Sequence, residues 1–159
     1  MFKRIFIILI ALFIFAQYID VSYSAGGNGE DTYLDLYKEG KQLVKRAEKM
    51  EKKNKLERAK KLYGKAQEKL RDANKVERNN PDILNYLGFA LRKTGKFEEA
   101  EKFYMKGLKI KPDHNGINEY LGELYIQTGR KNLAEERLAV LKNCKCKEYE
   151  ELKEIIEKN

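Results

Sequence analysis

Cys144 and Cys146 are the one pair of residues in this chain whose type and spacing suggest covalent chemistry. In an oxidising compartment two cysteines this close can form a disulfide. A bridge between residues i and i+2 is geometrically tight, and strain makes such a bond easier to reduce. The loop it closes is so short that it removes little entropy from the unfolded chain. Three readings stay open: a structural disulfide or turn, two thiols of no special role, and a redox or Cu(I) function. The last lacks a Met or His beside the pair to complete a metal shell. His114 is the single histidine, in the stretch Lys111-Pro112-Asp113-His114-Asn115-Gly116, and is expected as an exposed loop residue. Catalysis or metal binding there would need partners, and no second His or Cys lies near it in sequence. The chain has no G-x-S-x-G, no H-E-x-x-H and no phosphate-cradling glycine loop. The expectation is a non-catalytic protein without cofactor or metal.

Charge is the next chemical feature. Of 159 residues 36% are charged, with a formal net charge of +8. Residues 38–78 hold 16 Lys or Arg against 7 Asp or Glu, a local +9. One reading is a solvated helix face with several i, i+4 pairs. The other is a docking surface for an anionic membrane or an acidic partner. Nucleic acid is not expected as a partner outside the cytoplasm.

That compartment is inferred from residues 1–24. Lys3 and Arg4 form a short positive region, and Ile5 to Ala16 is an unbroken apolar run of 12. The run has signal-peptide length and is short of the roughly 20 residues of a spanning helix. Ser22 and Ser24 supply small residues for cleavage before Ala25. The expected location is therefore the periplasm or the exterior, an uncleaved anchor facing the periplasm being the alternative. No cysteine follows the run, so a lipoprotein anchor is not expected.

The elements that must position these groups read as helices. Residues 25–30, AGGNGE, form an expected flexible linker. In Pro81 to Pro112, Leu84, Leu87, Gly88 and Leu91 recur at i, i+3, i+4 and i+7, one stripe of a 3.6-residue period. Thr94-Gly95-Lys96 stops that helix, since glycine accepts the left-handed conformation at a helix end. Phe97, Ala100, Phe103, Tyr104, Gly107 and Leu108 mark a second helix, closed by Pro112. The pattern returns 34 residues later: Leu121-Gly122 answers Leu87-Gly88, and Gly129 answers Gly95. Upstream, Asn54-Lys55-Leu56 and Ala59 match Gly95-Lys96-Phe97 and Ala100 at an offset of 41. The seven-residue excess is two helical turns, which keeps the apolar face of a lengthened second helix in register. After Leu141, a turn holding Cys144 and Cys146 leads to a last amphipathic helix, with Tyr149, Leu152, Ile155 and Ile156 on one side. A stack of helix pairs needs such a terminal element to hide its final apolar face.

Three helix pairs at about 34 residues, with Leu-Gly in the first helix and Ala in the second, resemble the tetratricopeptide repeat (TPR). Leu87, Gly88, Ala100 and Pro112 fall on signature positions in the central unit, while Leu84 replaces the usual tryptophan. The whole also resembles small exported TPR proteins of Gram-negative bacteria, in which a Cys-containing turn precedes a closing Glu-Tyr-x-x-Leu helix, here Glu148 to Leu152. The resemblance implies an all-α, right-handed superhelix of three antiparallel helix pairs (about 33–80, 81–114 and 115–142), with residues 143–159 as Cys-containing turn and capping helix. It further implies a concave groove that binds a segment of a partner protein. Its walls would carry Lys41, Val44, Glu48 and Glu51 from the first unit, Asp82, Asn85, Phe89 and Arg92 from the second, and Glu119, Glu123, Ile126 and Gln127 from the third. Phe89 is either an anchor for the partner or an intramolecular packing group. The Lys/Asn/Arg clamp by which one TPR subclass holds a C-terminal carboxylate is not reproduced at Glu48, Phe89 and Glu123, so carboxylate capture is not expected. The rival reading is a thiol-dependent redox or copper-handling factor built on Cys144 and Cys146.

Overall fold

The computed structural model describes residues 29–159, so the expected signal peptide and most of the expected linker lie outside the described residues. Within them the chain forms seven helices: α1 (Gly29–Lys52), α2 (Leu56–Val76), α3 (Pro81–Arg92), α4 (Phe97–Ile110), α5 (Asn115–Gln127), α6 (Lys131–Leu141) and α7 (Lys147–Glu157). α1 thus begins inside the stretch expected as linker. No described helix is long and apolar enough to cross a membrane.

The helices pair as α1 with α2, α3 with α4 and α5 with α6, and successive pairs stack into an all-α solenoid. Three identical turns create the pairing. Asn54, Gly95 and Gly129 each adopt positive φ, at 54°, 79° and 73°. In each turn the next residue's N–H reaches a carbonyl five residues back: Lys55 to Met50, Lys96 to Leu91, and Arg130 to Tyr125. These bonds satisfy carbonyls that a helix end would otherwise leave open. Asparagine tolerates the left-handed region better than other non-glycine residues, which explains how Asn54 replaces glycine. The first unit is therefore a true copy of the turn, and α2 at 21 residues exceeds α4 at 14 by the expected seven.

Small residues let neighbouring helix axes approach. A Cβ on Gly88 would stand 2.5 Å from the Tyr104 ring, and one on Gly122 would stand 2.6 Å from Leu152. Ala47 takes the Gly88 position in the first unit, opposite Tyr63; both are fully buried. The added two turns repeat the device, with Gly40 against Leu70. One continuous core results, running from Val44 and Tyr63 through Leu87, Tyr104 and Leu121 to Leu152 and Ile156. α7 closes it, since Leu152 and Ile156 are its buried positions and it packs on α5 and α6.

Asn80 caps α3 by accepting from the N–H groups of Asp82 and Ile83, with Pro81 at the first helical position. His114 does the same for α5. Its Nδ1 accepts from the Ile117 N–H at 3.2 Å, which places the proton on Nε2, 3.2 Å from Asp82 Oδ1. The expected exposed loop histidine is instead a half-buried cap joining two units, because the following stretch is helical from Asn115 and its first N–H groups need an acceptor.

Candidate functional site

α1, α3, α5 and α7 share the inner side of the stack and enclose an open hollow of about 440 Å³. α1 contributes Glu48, and the end of α3 contributes Phe89, Arg92 and Lys93. α5 supplies Glu119, Tyr120 and Glu123, while α7 adds Lys147, Glu151, Glu154, Ile155 and Lys158. Five of the residues expected to line a groove thus meet here: Glu48, Phe89, Arg92, Glu119 and Glu123.

Their states differ from what free groove residues would show. Phe89 is 6% exposed. Its ring centroid lies 6.0 Å from that of Tyr63, edge-on, and 4.7 Å from that of Tyr120. Of its two readings the structure selects intramolecular packing: Phe89 forms the floor of the hollow. Arg92, at 4% exposure, gives its charge to Glu123 at 2.7 Å and lies over the Phe89 and Tyr120 rings. Burial opposes that charge, but the nearby Tyr104 hydroxyl and Glu123 outweigh it and hold the guanidinium protonated. Within the described residues neither Arg92 Nε nor the Tyr104 hydroxyl completes a hydrogen bond of good geometry. Glu51, beside the hollow, accepts from the Tyr63 hydroxyl and pairs with Lys93 at 2.8 Å.

Glu119 is the most perturbed acid. It is 4% exposed, and burial pushes its carboxyl up to about 9. A hydrogen bond to Glu151 and the negative charges of Glu123, Glu151 and Glu148 push in the same direction. At neutral pH it keeps its proton, so its O–H donates to the Glu151 carboxylate. The hollow is in this way largely self-neutralised, through Arg92 with Glu123, Lys147 with Glu151 and Lys158 with Glu154.

The remaining candidates sit elsewhere. Val44 is buried core. Lys41 holds its ammonium 4.9 Å from the Tyr37 ring centroid and 5.1 Å from that of Tyr86, outside the hollow. Asp82 is exposed and faces His114. Asn85 is buried, close against Gly116, with its Oδ1 unpaired among the described residues. Ile126 is half-buried against the core and Gln127 is exposed; neither lines the hollow. Lys93, Tyr120 and the α7 wall were missed in the sequence. The α7 signal was present, because Lys147, Glu151, Glu154 and Lys158 recur at helical spacing on one face.

Cys144 and Cys146 are joined in a disulfide in the turn between α6 and α7. Among the described residues no group of three or more His, Cys, Asp or Glu is placed to hold a metal ion.

Comparison with known proteins matches residues 81–114 to the tetratricopeptide repeat. A tetratricopeptide repeat is present. The matched stretch is α3 and α4 with their flanking prolines, the unit that forms the middle of the stack. Such repeats are characteristically non-catalytic scaffolds. Protein O-mannosyl-transferase TMTC3 of Homo sapiens is 32% identical over 69 residues, 43% of this chain. Its Mus musculus counterpart is 33% identical over 61 residues, 38% of this chain. The chain spans only 8% and 7% of these relatives' lengths.

Proposed function

We propose that this chain is a non-catalytic interaction module of the bacterial envelope that holds a segment of a partner protein in the hollow between α1, α3, α5 and α7. The observation that carries the reading is the hollow itself. It is open, about 440 Å³ in volume, and built on four helices that the core fixes. Its partner-facing groups are the ones left reachable at the rim: Lys93, Tyr120, Lys147, Glu151 and half-buried Ile155. Rim charges steer and select, while Tyr120 and Ile155 offer apolar contact. Phe89 and Arg92 act through the floor they build. Export rests on Lys3, Arg4 and the apolar run that follows them, and the disulfide of Cys144 and Cys146 suits an oxidising compartment.

The test is affinity capture from the native envelope by the full chain, with Lys147→Glu/Ile155→Asp in the hollow compared against Lys60→Glu, an exposed change on α2. A partner retained by the α2 variant and lost by the hollow variant is the expected result. A partner indifferent to the hollow variant would refute this placement. A redox or copper role predicts instead that Cys144→Ser/Cys146→Ser abolishes function; among the described residues no group of three or more His, Cys, Asp or Glu supports it.

A further inference from the structure

The surplus positive charge of this protein lies at one end of the stack, away from the hollow. Residues 38–78 carry 16 basic against 7 acidic groups, net +9, whereas residues 79–159 carry 15 against 14, net +1. Between α1 and α2 a second hollow of about 440 Å³ opens near the hairpin tip, with no residue of α3 in its lining. Its floor is Met50 and Leu62, both half-buried. Its rim is Arg46, Lys49, Arg58, Lys61 and Lys65, none of which takes part in an ion pair among the described residues. At the other end of the stack α7 covers the last pair, but among the described residues no helix covers this one. At the tip itself Leu56 is 60% exposed, with Lys52, Lys53, Lys55 and Arg58 around it.

We propose that the α1–α2 hairpin tip docks on an anionic lipid surface, with Leu56 entering the interface and a lipid phosphate seated among Arg58, Lys61 and Lys65. Charge complementarity selects the occupant's sign, and the distribution of charge along the seam selects a membrane over an acidic polypeptide. Farther from the tip the seam carries Glu39 and Glu68 beside Arg46, Lys65 and Lys69. Glu39 is paired with Lys69 at 2.7 Å, so an acidic segment laid along the seam would meet that neutral pair and the Glu68 carboxylate there instead of a continuous run of free cations. A flat anionic surface approached tip-first meets the lysines and arginines, with Glu57 as the one acid in the turn. Anionic phospholipid also offers both chemistries present: phosphate for the cationic rim, and an apolar layer for Leu56. The groove reading and this one are independent, because the two hollows share no lining residue.

The chain contains no tryptophan. Leu56→Trp in the full chain therefore gives a single tryptophan, placed at the tip. Vesicles of phosphatidylcholine with about one third phosphatidylglycerol, some carrying brominated acyl chains, are the probe. The expected result is a blue shift and bromine quenching, weakened severalfold by about 0.5 M salt through screening. Adding Arg58→Gln/Lys61→Gln/Lys65→Gln should raise the lipid needed for half-maximal signal by about a hundredfold, near fivefold per lost charge. Val140→Trp, exposed on α6, should stay unquenched. No shift at Leu56→Trp, an equal shift with pure phosphatidylcholine, or equal quenching at Val140→Trp would overturn the proposal. So would a shift with polyglutamate but not with vesicles, or an indole already shielded in vesicle-free buffer.

Discussion

Replacing Glu119 by glutamine should flatten the pH dependence of this protein's stability. The Glu119 carboxyl ionises near 9 in the folded chain against an ordinary value of 4.5, chiefly because it is buried and secondly because Glu151, Glu123 and Glu148 surround it. Between those two pH values the folded chain holds a proton that the unfolded chain has lost. The stability this proton supplies is fully present below about 4.5 and is lost as pH rises through about 9. The slope is about 1.4 kcal/mol per pH unit. From pH 6 to pH 8 the wild type should therefore lose about 3 kcal/mol that Glu119→Gln does not. Glutamine has the same shape, and its amide can donate to Glu151 as the protonated acid does. Other groups titrate alike in both proteins and cancel in the difference. Urea unfolding followed by far-ultraviolet circular dichroism at pH 6, 7 and 8 measures it. Parallel pH curves for the two proteins would refute the assignment of a neutral Glu119.

Glycine substitutions separate packing from backbone freedom. Gly88→Ala forces a Cβ into the fully buried Tyr104 ring and should cost about 1–3 kcal/mol, whereas Gly64→Ala, in the interior of α2 with nothing within 4 Å, should stabilise by about 0.5–1 kcal/mol; urea midpoints decide both. Asn80→Ala removes the acceptor for the Asp82 and Ile83 N–H groups and should cost about 1 kcal/mol in thermal unfolding. Cys144→Ser/Cys146→Ser should cost no more than about 2 kcal/mol, because the closed loop is three residues long and Leu152 over Gly122 still docks α7. Loss of α7 protection in hydrogen exchange of that variant would show that the bridge, not the apolar contact, holds the cap.

Much of the fold was legible because it is written in local terms. Leu84, Leu87, Gly88 and Leu91 reveal α3 by spacing alone, and Gly95 and Gly129 mark turns whose left-handed backbone few residues adopt. Even Asn54 was readable as a turn residue once aligned with Gly95. His114 was misplaced because a cap is recognised by the N–H it satisfies, and the start of α5 had to be known first. The hollow was half legible. Glu48, Phe89, Arg92, Glu119 and Glu123 were named from their repeat positions, but Lys93, Tyr120 and the α7 wall were not.

Periodicity, turn residues and the 34-residue return thus determined the helices and their pairing from the sequence by itself, since these rest on neighbouring stretches of chain. The amphipathic pattern of the last helix marked it as a cap. Only the tertiary structure decided which charges remain free. Arg92 meets Glu123 from the next unit, Lys93 meets Glu51 from the previous one, and Glu119 shares its proton with Glu151 across to α7. Those meetings depend on the rise and rotation accumulated from pair to pair, a small angle summed over the stack. Among the described residues the cations around Met50 and Leu62 have no ion-pair partner, since no described helix pair lies beside that end of the stack.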